Sequence, residues 1–219
     1  MKNIKTILII CVIVIGAADI IAYNFDSTFD LFSEQDNNGN STNTIDNQEL
    51  FAASLQNASK YEKIWHESMN IGVINKINRN LHSSSSLNKS LPGIKDSLNE
   101  SRDANENILK YLNNAKKYAT SDVDKQYVDL LIQKATIDKK IYDSYAKMIV
   151  NYEKFANRKL SPNGLNAKMR AATLDLIDNN ATDQDIAGIN SKLLKLLKNN
   201  PDFKKKLENM NLNPAFLGK

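Results

Sequence analysis

The sequence predicts an all-α chain: an N-terminal membrane helix, then an antiparallel bundle of three long helices with shorter C-terminal helices packed on it. Three observations lead there. Only seven Gly and four Pro occur in 219 residues, too few breakers for a strand-rich fold with many turns. Apolar residues recur at spacings of three and four over three long stretches, the period of an amphipathic helix. The opening stretch, "MKNIKTILIICVIVIGAADIIAY", is an apolar run behind two lysines.

That opening run has two readings. Residues 7–18 fit the apolar region of a secretory signal, with Gly16 and Ala18 as small residues before a cut ahead of Asp19. Residues 6–23 are long enough to span a membrane if Asp19 is included, and near the outer end its carboxylate reaches the headgroups. The uncleaved anchor is the favoured reading. Either way Lys2 and Lys5 stay cytoplasmic, and all that follows lies outside: a single-pass cell-membrane protein, or a secreted one if the signal is cut. The lone Cys, Cys11, sits in this run, so no intrachain disulfide or Cys-built zinc site is available.

Residues 24–45 follow as an acidic flexible tether. Asp26, Asp30, Glu34 and Asp36 have no basic residue among them, and "SEQDNNGNSTNT" has no apolar residue. Phe25, Phe29, Leu31 and Phe32 are the exceptions, expected in a frayed helix at the membrane surface.

Residues 46–160 carry the three long helices. Asp46 with Glu49 three residues on resembles a capping box. The first stripe is Phe51, Leu55, Ala58, Tyr61, Trp65, Met69, Val73, Ile77 and Leu81, ending at about His82 and the serine run. The second is Leu87, Leu91, Ile94, Leu98, Ser101, Asn105, Ile108, Leu112, Ala115 and Ala119. It is a heptad seam with a polar layer at Ser101 and Asn105. Pro92 suits a helix's first turn, so the start is expected near Leu91, with Leu87 and Asn88 in the loop. Ser121 with Asp124 caps the third, whose stripe is Val123, Tyr127, Leu130, Leu131, Ile137, Ile141, Tyr145, Met148, Tyr152 and Phe155. Short turns between long helices make them antiparallel neighbours.

Residues 161–219 read as a short-helix region packed on the bundle. "SPNG" at 161–164 stops the third long helix, residues 165–177 form the next, Thr182 with Asp185 caps a second short helix, and Asn200-Pro201 starts a third. The tail "NLNPAFLGK" either docks or frays.

Little in the chain points to chemistry. A net charge of +4 is mild and gives no basic groove, so nucleic acid is not an expected partner. His66 stands one helical turn from Glu62, but no Glu-x-x-His pair of a di-iron bundle occurs, and a surface Glu–His pair is expected. No Gly-x-Ser-x-Gly elbow and no phosphate loop occurs. Catalytic residues, cofactors and metals are therefore expected to be none. The 30 Asn residues raise the count of glycosylation sequons by chance, and Asn40 in the tether is the best candidate.

Two surfaces remain as candidates. "KLLKLLKNNPDFKKKL" displays Lys192, Lys195, Lys198, Lys204, Lys205 and Lys206, and could meet an anionic membrane or a partner groove. The favoured reading packs Leu193, Leu196 and Leu197 on the bundle with the lysines in water. Tyr61, Trp65, Tyr145 and Tyr152 could line a ligand pocket between the first and third helices, although such aromatics are more often core. The expected function is a non-enzymatic interaction module for an envelope protein or polymer. A small-molecule binding or sensor domain is the alternative. Heptad seams also permit pairing between chains, so a homo-oligomer stays open.

Overall fold

The computed structural model describes residues 46–77 and 84–218. The expected anchor, the tether and Asn40 lie outside these residues. Among the described residues every regular element is helical, and no helix is long and apolar enough to cross a membrane. In chain order these are α1 (Asn47–Glu67), a π-helical segment (Ser68–Asn75), α2 (Ser84–Tyr118), α3 (Asp122–Ala156), α4 (Pro162–Asp178), α5 (Asp183–Asn199), α6 (Pro201–Glu208) and a 3-10 turn (Pro214–Leu217).

The helix starts follow their capping chemistry. Ser121 and Asp124 form a reciprocal capping box at α3, with bonds of 3.0 and 3.1 Å, and Thr182 with Asp185 forms another at α5. Asp46 caps α1 by accepting from the Gln48 N–H at 3.2 Å, one residue short of the position expected for Glu49. α4 starts at Pro162, ahead of the expected Leu165, because Ser161 accepts from Gly164 N–H and Pro162 fills the first helical position.

One boundary differs from expectation. α2 begins at Ser84 rather than near Leu91, and Pro92 lies inside it. The proline denies the Asn88 carbonyl its helical partner, but Asn88 is exposed to water, and helical continuity buries Leu87 to 2 % exposure.

The three long helices pack antiparallel. Ser68 meets Ser101 and Lys76 meets the Gly93 carbonyl, so α1 and α2 run in opposite directions. Lys95 meets Glu153 and Lys116 meets Asp129, so α2 and α3 do the same. The heptad seam of α2 is the spine. From Leu87 to Ala115 every position of that seam is buried. The backbones of α1 and α3 approach α2 closely but stand farther from each other.

The π segment interrupts what the spacing predicts as one continuous α-helix. Trp65, Met69, Val73 and Ile77 repeat every four residues, a spacing that drifts by about 40° per step around an α-helix. Turns closed by i→i+5 bonds hold more residues, and all four side chains stay buried. Gly72 lets this wider coil approach α2. A Cβ at that position would stand 2.4 Å from the Ser97 Cβ.

The C-terminal helices act as a broken fourth helix along α3. Lys140 donates to the Asn179 carbonyl and Lys147 pairs with Asp175, setting α4 antiparallel to α3. The tail docks. Gln56 donates to the Met210 carbonyl at 3.2 Å, the Asn213 N–H to Ser59 Oγ at 2.6 Å, and Tyr127 to the Phe216 carbonyl at 2.7 Å. It thereby closes the gap between α1 and α3.

Candidate functional site

At mid-height a single polar layer crosses the bundle. Each long helix contributes. α1 supplies Glu62 and, at its junction with the π segment, Ser68; α2 supplies Ser101 and Asn105, and α3 supplies Lys134 and Asp138, all buried. Ser68 and Ser101 share a hydrogen bond of 2.9 Å, and Asn105 Nδ2 donates to the Ala135 carbonyl at 3.0 Å. The two polar positions of the α2 seam thus tie it to different neighbours. Lys134 spans the wider α1–α3 gap and donates to Glu62.

The charges in this layer are unequal. One ammonium lies between two carboxylates. Asp138, 1 % exposed, stands 3.7 Å from Lys134 Nζ, and among the described residues neither of its oxygens has a hydrogen-bond partner. Burial pushes its carboxyl up to about 7; Lys134 opposes that shift and Glu62 adds to it. Burial alone would lower Lys134, but Glu62 and Asp138 hold it above the ordinary lysine range. His66 at the edge of the layer is lowered by burial. Trp65 Nε1 and Asn105 Oδ1 are also buried without a partner among the described residues. This arrangement can store a proton and fix the register of three helices.

Glu62 therefore departs from the expected surface Glu–His pair. It points inward to Lys134, while His66 bonds Asn70. The reason is register. Phe51, Leu55, Ala58, Glu62, Trp65 and Met69 alternate four and three, so Glu62 occupies the seam and Tyr61 does not. Tyr127, Leu131, Lys134, Asp138, Ile141 and Tyr145 alternate in the same way. Hydrophobicity alone overlooks Lys134 and Asp138 because they are charged, although the spacing places both inside.

The aromatic candidates separate. Trp65, Tyr145 and Tyr152 are buried in the core, whereas Tyr61 is half-buried and stacks on Tyr111 of α2 at 5.8 Å. Tyr61 lines an open groove of about 620 Å³ between α1 and α2, with Ile64, Asp96, Ser97, Glu100 and Asp103 among its walls. Among the lysines, Lys192, Lys195, Lys198, Lys204 and Lys205 are exposed, with Lys204 paired to Glu208. Lys206 is half-buried, with its ammonium 5.1 Å from the Phe51 ring centre. Leu193 and Leu197 are buried and Leu196 is half-buried. Among the described residues no three His, Cys, Asp or Glu side chains gather as a metal site.

No family model, curated protein or solved structure matches this chain.

Proposed function

We propose that this chain is a non-enzymatic interaction module, held at the membrane by residues 6–23 with its helical part outside the cytoplasm. It binds an anionic envelope protein or polymer through the lysine face of α5 and α6. The observation that supports this reading is the division of α5: Leu193 and Leu197 are spent on the core while Lys192, Lys195 and Lys198 stand in water. With its main apolar face inside the bundle, α5 leaves Leu194, 46 % exposed, as its one large apolar side chain for lipid, and a fixed row of ammonium groups favours an anionic partner.

The test is co-sedimentation of the full-length protein, in detergent, with an anionic envelope polymer and with a neutral one. Binding is expected only to the anionic polymer and falls at high salt, where exposed charges are screened. The K192E/K195E/K198E variant is expected to lose it while keeping its melting temperature. Equal retention by both polymers, or by the variant, overturns the reading.

A second reading, binding of a small molecule, draws on the open α1–α2 groove at Tyr61. It differs from the expected aromatic pocket, because α3 contributes no residue to that groove.

A further inference from the structure

The α1–α3 gap is closed by an arm of the chain that the gap recognises through its backbone. Residues 201–218 form this arm, which holds α6 and the 3-10 turn. Three of its backbone atoms bond to groove side chains: the Met210 carbonyl to Gln56, the Asn213 N–H to Ser59 and the Phe216 carbonyl to Tyr127. Leu207, Leu212 and Phe216 fill the space between, all buried. Phe203 meets the Tyr127 ring edge-on at 5.3 Å.

The arm is also folded within itself. Asn213 Oδ1 accepts from the Ala215 N–H, and Gly218 turns back with φ +74° to bond the Pro214 carbonyl. Its tie to the rest of the chain is short. α5 ends at Asn199, α6 begins at Pro201, and Asn200 alone makes the turn with φ −131° and ψ 73°. Pro201 has no N–H with which to continue the α5 ladder. A self-contained segment on a one-residue hinge, seated in a groove that cannot tell whose backbone it holds, is suited to exchange between chains.

We propose that the α1–α3 groove is a docking site for the 201–218 arm of a second copy, and that two chains exchange arms to form a dimer. The arm's contacts with α1 and α3 are the same within one chain or between two, so the hinge and the protein concentration set the balance. The inference does not rest on the lysine-face reading, since no lysine takes part in the three backbone bonds.

The test uses full-length chains carrying Cys11→Ser, so that introduced cysteines alone can pair. One chain carries Ser59→Cys and the other Asn213→Cys, on the two sides of the 2.6 Å bond. The two are unfolded together, refolded at rising concentration in detergent and oxidised. A disulfide-linked dimer that increases with concentration is expected. A single chain with both cysteines checks that the pair can close. No linked dimer from the mixture, with the double variant linking only within itself, overturns the proposal. If the double variant forms no link, a donor dye at exposed position 60 in one chain and an acceptor at exposed position 211 in the other replace the disulfide. Absence of energy transfer after joint refolding then overturns it.

Discussion

Lys134 of α3 reaches across the widest gap of the bundle to Glu62 of α1, and both residues are buried where the pair forms. Asp138, one turn on, is held by the same ammonium at 3.7 Å. Removing a partner from a buried ion pair strands the other charge, which costs far more than the pair itself is worth. Lys134→Met would leave two carboxylates buried without a cation, whereas Glu62→Gln leaves Lys134 paired with Asp138. Urea unfolding should show a loss of about 3–5 kcal/mol for Lys134→Met and a clearly smaller one for Glu62→Gln. Equal losses would mean that the three groups do not share one cation.

The same layer makes stability depend on pH. The folded Asp138 carboxyl titrates at about 7 because burial disfavours its charge, whereas in the unfolded chain an Asp titrates near 3.9. Between those values the folded state holds a proton that the unfolded state has lost. Its contribution is therefore complete below about pH 4 and disappears as pH rises through about 7. Lys134 and Glu62 face this group, and His66 faces those two. Lys134 keeps its charge throughout, and lowered His66 acts in the opposite sense as pH falls through 6.5 and below. Comparing wild type with Asp138→Asn at each pH isolates the carboxyl. The variant should gain on wild type as pH rises from about 4 to 7 and hold a constant advantage above. A pH-independent difference would contradict this assignment.

Gly72 sets the distance between the π segment and α2. Its substitution by Ala places a methyl group within 2.4 Å of both Ser97 side-chain atoms it meets, so the helices must part. Overpacking of this kind costs about 1–3 kcal/mol. Thermal melts should show Gly72→Ala destabilised and Gly72→Ala with Ser97→Gly largely restored. Ser97→Ala should restore little, because the Ser97 Cβ itself stands in the way.

Much of the helical part is legible in the sequence. The α2 seam from Leu91 to Ala115 is legible residue by residue, because a period of four and three needs no knowledge of the neighbours to show which side is apolar. The caps at Ser121 and Thr182 were legible for a similar reason, since they join residues three apart. Where regular spacing met a charged residue, reading by hydrophobicity failed. The apolar stripe takes in Tyr61 and omits Glu62, and it steps over Lys134 and Asp138 between Leu131 and Ile141.

What the sequence determined by itself is local: helices, their caps and the faces they bury, because propensity, capping and periodicity act between residues a few positions apart. Only the tertiary structure decided that Glu62, Lys134 and Asp138 share a layer, that Ser68 finds Ser101, and that Phe216 returns to Tyr127. A charge is tolerated inside when its partner arrives from another helix, and that arrival depends on the register and spacing of elements far apart in the chain.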